Sequence, residues 1–176
     1  QGVSRLLPQS DERRLVVDIG GRSTELILGR QFSSHAMASF PVGSVVWSQR
    51  YFTNGLFTPE AFAAAEIAAK AVLDEALAIY RPDAWDVAYG SSGTAGAVGS
   101  VLAAAGGPEG VITRDGLGGL RDQVLRAQSA ERLRLDGLKD ERRAVIGGGI
   151  SLLCAVFDLL KIDRMQVAQG ALRQGV

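Results

Sequence analysis

Cysteine and histidine are almost missing from this sequence, with one of each, Cys154 and His35, among 176 residues. A lone cysteine excludes an internal disulfide, and one histidine with one distant thiol leaves too few ligands for a zinc site. His35 is expected at a strand or surface position. Cys154 lies in an apolar run and is expected in the core; its usage fits a reducing cytoplasm. An excess of either charge is missing too. Nineteen basic and nineteen acidic side chains cancel, so no global field draws the chain to DNA, RNA or an anionic membrane. An anionic ligand must therefore be caught by a local motif. No run approaches the roughly 18 apolar residues of a membrane span, and no basic-then-apolar leader opens the chain. Aromatic residues make up only 6%; Trp47, Trp85, Phe62 and Phe157 stand singly in periodic segments, which suits packing rather than a base-stacking platform. Internal repeats, low-complexity tracts and linkers are absent.

What is present is enough to build a core. With 47% hydrophobic residues and a mean hydropathy of +0.12, the chain is expected to form one compact domain. It begins with Gln1 rather than methionine and is expected to be a segment of a longer polypeptide.

Strand and helix signals alternate along the chain. Leu15 to Ile19 and Thr24 to Leu28 read as strands joined by a tight Gly-Gly-Arg hairpin, and a third strand covers Ser34 to Phe40. A short helix is expected over Val45 to Phe52, broken by Asn54-Gly55. Thr58 as N-cap, Pro59 at the first helical position and Glu60 near the positive end announce a long helix reaching about Tyr80. Phe62, Ala69, Leu73 and Leu77 form its buried face. Glu66/Lys70 and Lys70/Asp74, four residues apart, predict ion pairs on a solvated face. Trp85 to Tyr89 reads as a buried strand, Gly90 to Gly93 as a loop and Thr94 to Ala104 as a helix. Further helical signal covers Thr113 to Ala127 and Ser129 to Leu133. Gly147 to Gly149 precede a buried helix over Ile150 to Leu160, and Asp163 to Ala168 reads as a last strand. A hairpin followed by alternating strands and helices predicts an α/β layered domain with a mixed sheet, and its chemistry in the loops.

Two loops carry chemistry. In Asp18-Ile19-Gly20-Gly21-Arg22-Ser23-Thr24-Glu25 the paired glycines let backbone N–H groups approach an anion, and hydroxyls add donors suited to phosphate oxygens. Asp18 and Glu25 flank the loop, and such a pair can coordinate Mg²⁺ or orient a water. From the octet alone, a plain hairpin turn with a capping Asp and a solvent-facing Glu reads equally well. Gly90-Ser91-Ser92-Gly93-Thr94 lies between a strand and a helix, where free N–H groups make an anion seat. In isolation, an ordinary Ser/Thr N-cap is the better reading. Two such loops in one domain, however, are what a polyphosphate or nucleotide tail lying between them requires. The Arg13/Arg14 and Arg142/Arg143 pairs are expected to be solvated near element ends, with room for one arginine of the second pair to approach a ligand.

The run Arg14-Leu15-Val16-Val17-Asp18-Ile19-Gly20-Gly21-Arg22-Ser23-Thr24-Glu25-Leu26 closely resembles the phosphate-binding hairpin of the Ppx/GppA family of exopolyphosphatases and guanosine pentaphosphatases, usually written DIGGGSTE or DIGGASTE. Gly90-Ser91-Ser92-Gly93-Thr94 resembles the family's second phosphate loop. Glu141-Arg142-Arg143 leading into Gly147-Gly148-Gly149-Ile150 resembles its glycine-led buried helix, and Gly170-Ala171-Leu172-Arg173-Gln174-Gly175-Val176 its GALREG ending. The resemblance spans nearly the whole chain in family order.

It implies an actin-like, ribonuclease-H-like ATPase fold of two lobes with substrate and Mg²⁺ between them. This chain resembles the second lobe only. Gln1-Gly2-Val3 resembles the stretch just after the segment supplying the general base, which then lies outside this sequence with the first lobe. Carried over by position, Asp18 and Glu25 would bind Mg²⁺ or position water. Gly20, Gly21, Ser23 and Arg22 would cradle one phosphate, and Ser92, Gly93 and Thr94 another, with Gly148 at the substrate cleft. Arg22 replaces a glycine or alanine, and contact with phosphate or an outward position are equal readings of it. Gln169 and Gln174 depart from acidic or small residues. The implied ligand is inorganic polyphosphate or guanosine pentaphosphate; a homodimer is allowed. A non-catalytic alarmone-binding module and a sugar-kinase lobe of the actin-like superfamily remain as alternatives.

Overall fold

The computed structural model describes residues 12–30 and 33–168. The expectations for Gln1-Gly2-Val3, Gln169, Gln174 and the Gly170 to Val176 ending lie outside these residues. Six strands form one mixed sheet in the order β3-β2-β1-β4-β6-β5: β1 Arg13–Ile19, β2 Thr24–Arg30, β3 Ser33–Phe40, β4 Val87–Ser91, β5 Val111–Thr113 and β6 Arg164–Val167. β1 runs antiparallel to β2 and parallel to β4, so it sits inside the sheet with hydrogen-bonded neighbours on both sides. Its alternation assigns its faces: Leu15, Val17 and Ile19 are buried, while Val16 and Asp18 point to the other side and are only partly covered.

The helices are α1 Ser44–Tyr51, α2 Pro59–Leu73, α3 Ser92–Ala104, α4 Arg114–Ala127, the single turn α5 Asp140–Arg143 and α6 Ile146–Leu160. α6 is the centre of the helical layer. It is buried along most of its length and packs on α1 and α2, with α4 also against it. A helix apolar on nearly all sides has to be enclosed, and this one is. At its C-terminus the Arg114 guanidinium donates to the Phe157 and Ile162 carbonyls at 3.0 and 2.7 Å. The Phe157 carbonyl also accepts from the Ile162 N–H at 2.9 Å, so the arginine reinforces a helix end that the backbone already closes. Trp47 lies in the core with its indole N–H on the Ala65 carbonyl.

The start of α2 is as the sequence predicts: the Thr58 hydroxyl accepts from Ala61 N–H and Pro59 occupies the first turn. Its end is not. The α-helix stops at Leu73 and continues as a 3₁₀ turn over Asp74–Ala78. Leu73 and Ala76, three apart, are buried there, a spacing that suits three residues per turn. The expected Glu66/Lys70 and Lys70/Asp74 pairs are replaced by bonds between helices, Glu66 with Arg121 of α4 and Lys70 with Asp158 of α6. No loop separates β4 from α3, because Gly90 and Ser91 end the strand and Ser92 begins the helix. Gly147 to Gly149 lie inside α6 rather than before it. Ser129 to Leu133 is not a helix: Gln128 ends α4 in the left-handed conformation, and the backbone pairs instead with residues 55 and 57. Arg14 is buried, 8% exposed, where a solvated side chain was expected. His35 is exposed on β3. Burial pushes the Cys154 thiol up to about 12, which leaves no thiolate to act as a nucleophile.

Candidate active site

The hairpin between β1 and β2 brings the two carboxylates together. Its register sets Asp18 directly opposite Glu25 and Ile19 opposite Thr24. The turn closes with a hydrogen bond from Gly20 N–H to the Ser23 carbonyl at 2.9 Å. Its carbonyls face the start of α1. Ser44 N–H donates to Gly20 O at 2.9 Å, while Val45 and Val46 donate to Gly21 O at 2.9 and 3.2 Å. This docking requires Gly43, where a Cβ would overlap the backbone of Gly21 and Arg22. With the carbonyls committed to the helix, the N–H groups of Gly21, Arg22 and Ser23 donate to no acceptor among the described residues. Successive unpaired amides in a glycine turn form an anion-binding nest. The Arg22 side chain is exposed at the tip, without an ion pair among the described residues.

Hydroxyls hold the carboxylates. Ser23 and Ser39 both donate to Glu25 Oε2 at 2.8 Å. Ser92 donates to Asp18 Oδ1. Neither carboxylate has a Lys or Arg partner among the described residues. Two like charges directly across a strand pair repel, and a cation between them removes that cost. Oxygen-only donors from one or two carboxylates, with water and substrate phosphates completing the shell, suit a hard divalent ion such as Mg²⁺. Among the described residues no third acidic, cysteine or histidine side chain joins them.

The second loop is the neighbour of the first. β1 and β4 are paired so that Asp18 lies beside Ser91. Ser92 then takes φ +73°, a left-handed conformation costly for a residue with a Cβ. That single residue turns the chain from strand to helix. No side chain caps the start of α3 and no acidic residue lies in its first turn, so its positive end is open to an anion. Arg142 of α5 closes this corner: a Cβ on Gly93 would overlap its guanidinium. The Arg142 side chain has no hydrogen bond or ion pair among the described residues.

The structure therefore brings Asp18, Glu25, Gly20, Gly21, Ser23, Ser92 and Gly93 to one corner. It selects Arg142 from the Arg142/Arg143 pair, of which the sequence left one arginine free to approach a ligand, and adds Ser39, to which nothing in the sequence pointed. Thr94 contributes its place in the first turn of α3, while its side chain is 5% exposed and packs on Gly149 of α6. Gly148 is a correction. It is buried in α6 with its N–H on the Ser48 hydroxyl at 2.9 Å, and a Cβ there would overlap the Ser44 carbonyl. It lets α6 approach α1 and does not line a cleft. A depression of about 350 Å³ between α3, β5 and α4, lined by Leu102, Pro108, Leu120 and Arg126, contains none of the site residues.

The sequence profile of the Ppx/GppA phosphatase family matches residues 1–176. A guanosine-5'-triphosphate,3'-diphosphate pyrophosphatase of Vibrio atlanticus (strain LGP32) is 44% identical over 164 residues, covering 93% of this chain and 33% of its own length. The protein of that name from Photobacterium profundum is 40% identical over 176 residues, 100% of this chain and 35% of its own. The chain thus spans about a third of the length of these curated relatives. Among solved structures, the Aquifex aeolicus PPX-GPPA enzyme superposes with a TM-score of 0.80 at 22% identity, over 99% of this chain and 58% of that one. An exopolyphosphatase from Cytophaga hutchinsonii gives 0.75 at 22% identity, over 96% and 56%. The shared fold is the actin-like, ribonuclease-H-like one.

Proposed function

This chain belongs to the Ppx/GppA phosphatase family, and we propose that it is the second lobe of a longer cytoplasmic phosphohydrolase that cleaves a terminal phosphoanhydride. The observation that carries this reading is the convergence of two phosphate cradles on one carboxylate pair. Three hairpin amides and the Arg142 guanidinium, all without partners among the described residues, and the uncapped start of α3 surround Asp18 and Glu25. Guanosine pentaphosphate is the favoured substrate, because the relatives at 40–44% identity bear the pyrophosphatase name; inorganic polyphosphate offers the same terminal group.

The hairpin amides and α3 hold successive phosphates of the chain, and Arg142 pairs with their negative charge. Asp18 and Glu25 would hold a divalent cation, which would neutralise phosphate charge and polarise the bond to be broken. Water attacks the terminal phosphorus in line, and the bridging oxygen leaves on the shortened product. The water's proton passes to a glutamate of the facing lobe, outside this chain. One helix terminus favours an anion by only about 0.3–1 kcal/mol, whereas enzymatic acceleration takes about 8–23 kcal/mol off the barrier. The lobe alone is therefore expected to bind its ligand weakly without turning it over.

The test is phosphate release by the full-length protein from guanosine pentaphosphate and from polyphosphate with Mg²⁺. Glu25→Gln is expected to lower kcat about 100-fold or more; full activity in that variant removes Glu25 from the mechanism. A wild-type protein that binds both substrates and hydrolyses neither would make the lobe part of an alarmone sensor instead.

A further inference from the structure

We propose that Ser39, on the edge strand of the sheet, is a positioning residue that holds Glu25 in the orientation needed to take a cation; this rests on the reading of Asp18 and Glu25 as the cation-holding pair. β2 and β3 are paired so that Ser39 stands directly opposite Glu25, just as Asp18 does on the other side. Ser39, Glu25 and Asp18 thus form one row across three strands. The Ser39 hydroxyl reaches Glu25 Oε2 at 2.8 Å, and the Ser23 hydroxyl reaches the same oxygen at 2.8 Å from within the hairpin. Both donors act on one oxygen, and Glu25 Oε1 accepts nothing among the described residues. Asp18 repeats the pattern, with Ser92 on Oδ1 and Oδ2 left open.

The chemistry explains why the donors are hydroxyls. Without a restraint, Glu25 has three rotatable bonds and a like charge across the strand, so its carboxylate would turn away from Asp18 into solvent. A lysine or arginine in place of Ser39 would hold it, but would also neutralise the charge that a cation needs. A neutral hydroxyl orients the carboxylate and leaves its charge in place, as hydrogen-bonded outer partners do for metal-ligating carboxylates. The neighbours of Ser39 fix its place: Phe40 is buried opposite Thr24, and the Thr24 hydroxyl donates to the Val42 carbonyl at 2.7 Å. The β3 end is thereby tied to the hairpin that carries Glu25.

The test compares Ser39→Val with Ser39→Thr in the full-length protein. Both place a β-branched side chain in the strand, and only threonine keeps the hydroxyl. Mn²⁺ binding is measured without substrate, from the electron paramagnetic resonance signal of the free ion, and the thermal midpoint is recorded alongside. Ser39→Val is expected to weaken Mn²⁺ binding about three- to tenfold, the low end for a metal-site outer partner because this hydroxyl is exposed. Ser39→Thr is expected to stay within about twofold of wild type, with a thermal midpoint matching that of the valine variant. Wild-type Mn²⁺ affinity in Ser39→Val overturns the proposal, and so does an equal loss in both variants, which would trace the effect to shape. If the wild type hydrolyses its substrate and binds Mn²⁺ while Ser39→Val matches it, the role of Ser39 alone fails. If the wild type does neither, the assignment of the carboxylate pair fails with it.

Discussion

Arg142 and Arg143 are adjacent in a four-residue helix, where successive side chains point about 100° apart, and that angle separates their tasks. Arg143 is spent on the chain itself. Its guanidinium reaches the carbonyls of Ala130, Glu131 and Leu133 at 3.3, 3.4 and 3.5 Å and approaches Asp140 at 3.6 Å. It staples the stretch after α4 that forms no helix. Arg142 spends none of its donors among the described residues and lies over Gly93 beside the α3 terminus. Arg142→Ala is therefore expected to raise KM for the anionic substrate about ten- to thirtyfold, with Arg142→Lys recovering only part of the loss because an ammonium lacks the planar fork. Steady-state kinetics of the full-length protein check this. A KM unchanged in Arg142→Ala would place the guanidinium outside the substrate contact. The sequence shows two arginines in a row but not the phase of the short helix beneath them, so the choice between them was not legible.

At the scale of elements, legibility followed the strength of the local signal. The hairpin could be read because paired glycines interrupt two alternating runs, and the start of α2 because Thr58 and Pro59 act within their own turn. Where neighbours decide, the reading failed. The end of α2 depends on Leu73 and Ala76 packing at a spacing of three. The three-residue strand β5 exists because it pairs with β6, and its last residue, Thr113, also caps α4 by accepting from Gly116 N–H. The glycines of α6 stay helical because three close contacts enclose them. The starts of β1 and β4 are joined by a side-chain device with a pH signature. Arg13 donates through its backbone N–H, Nε and guanidinium NH2 group to Asp86, at 2.9, 3.2 and 3.0 Å. Its guanidinium first, then its backbone amide, hold the Asp86 carboxyl below its usual range. A carboxyl lowered by folding stabilises the protein above the unfolded value of about 4 and loses that contribution as pH falls through the folded value. Wild type is expected to outlast Asp86→Asn in urea at neutral pH, by a small margin because the pair is exposed. As pH falls through that folded value the two midpoints are expected to converge. A difference that persists unchanged in acid would mean that the side chain acts by shape and not by charge.

In the whole molecule the two proposed phosphate cradles, joined through the β1–β4 pairing, are also braced by backbone contacts that only glycine permits. The hairpin rests on the start of α1, which is packed against α6 through Gly148. α6 in turn meets α3 where Gly149 lies under Thr94. Helix approach thus supports from beneath the direct tie that the Asp18–Ser91 pairing and the Ser92–Asp18 hydrogen bond make between the two loops. A methyl group on Gly148 would meet the Ser44 carbonyl and the Ser48 amide, which are backbone and cannot rotate aside. Gly148→Ala is expected to cost about 1–3 kcal/mol, the usual penalty for overpacking a core, and to lower phosphate release at temperatures where the fold persists, since α1 carries the hairpin with it. Gly118 of α4 supplies the opposite sign. A Cβ there meets nothing within 4 Å, so Gly118→Ala is expected to stabilise the helix by about 0.5–1 kcal/mol without altering activity. Urea denaturation and phosphate release from the two variants separate the effects of backbone freedom from those of space. If Gly148→Ala proves as stable and as active as Gly118→Ala, then the close α1–α6 contact does not set the spacing of the cradles.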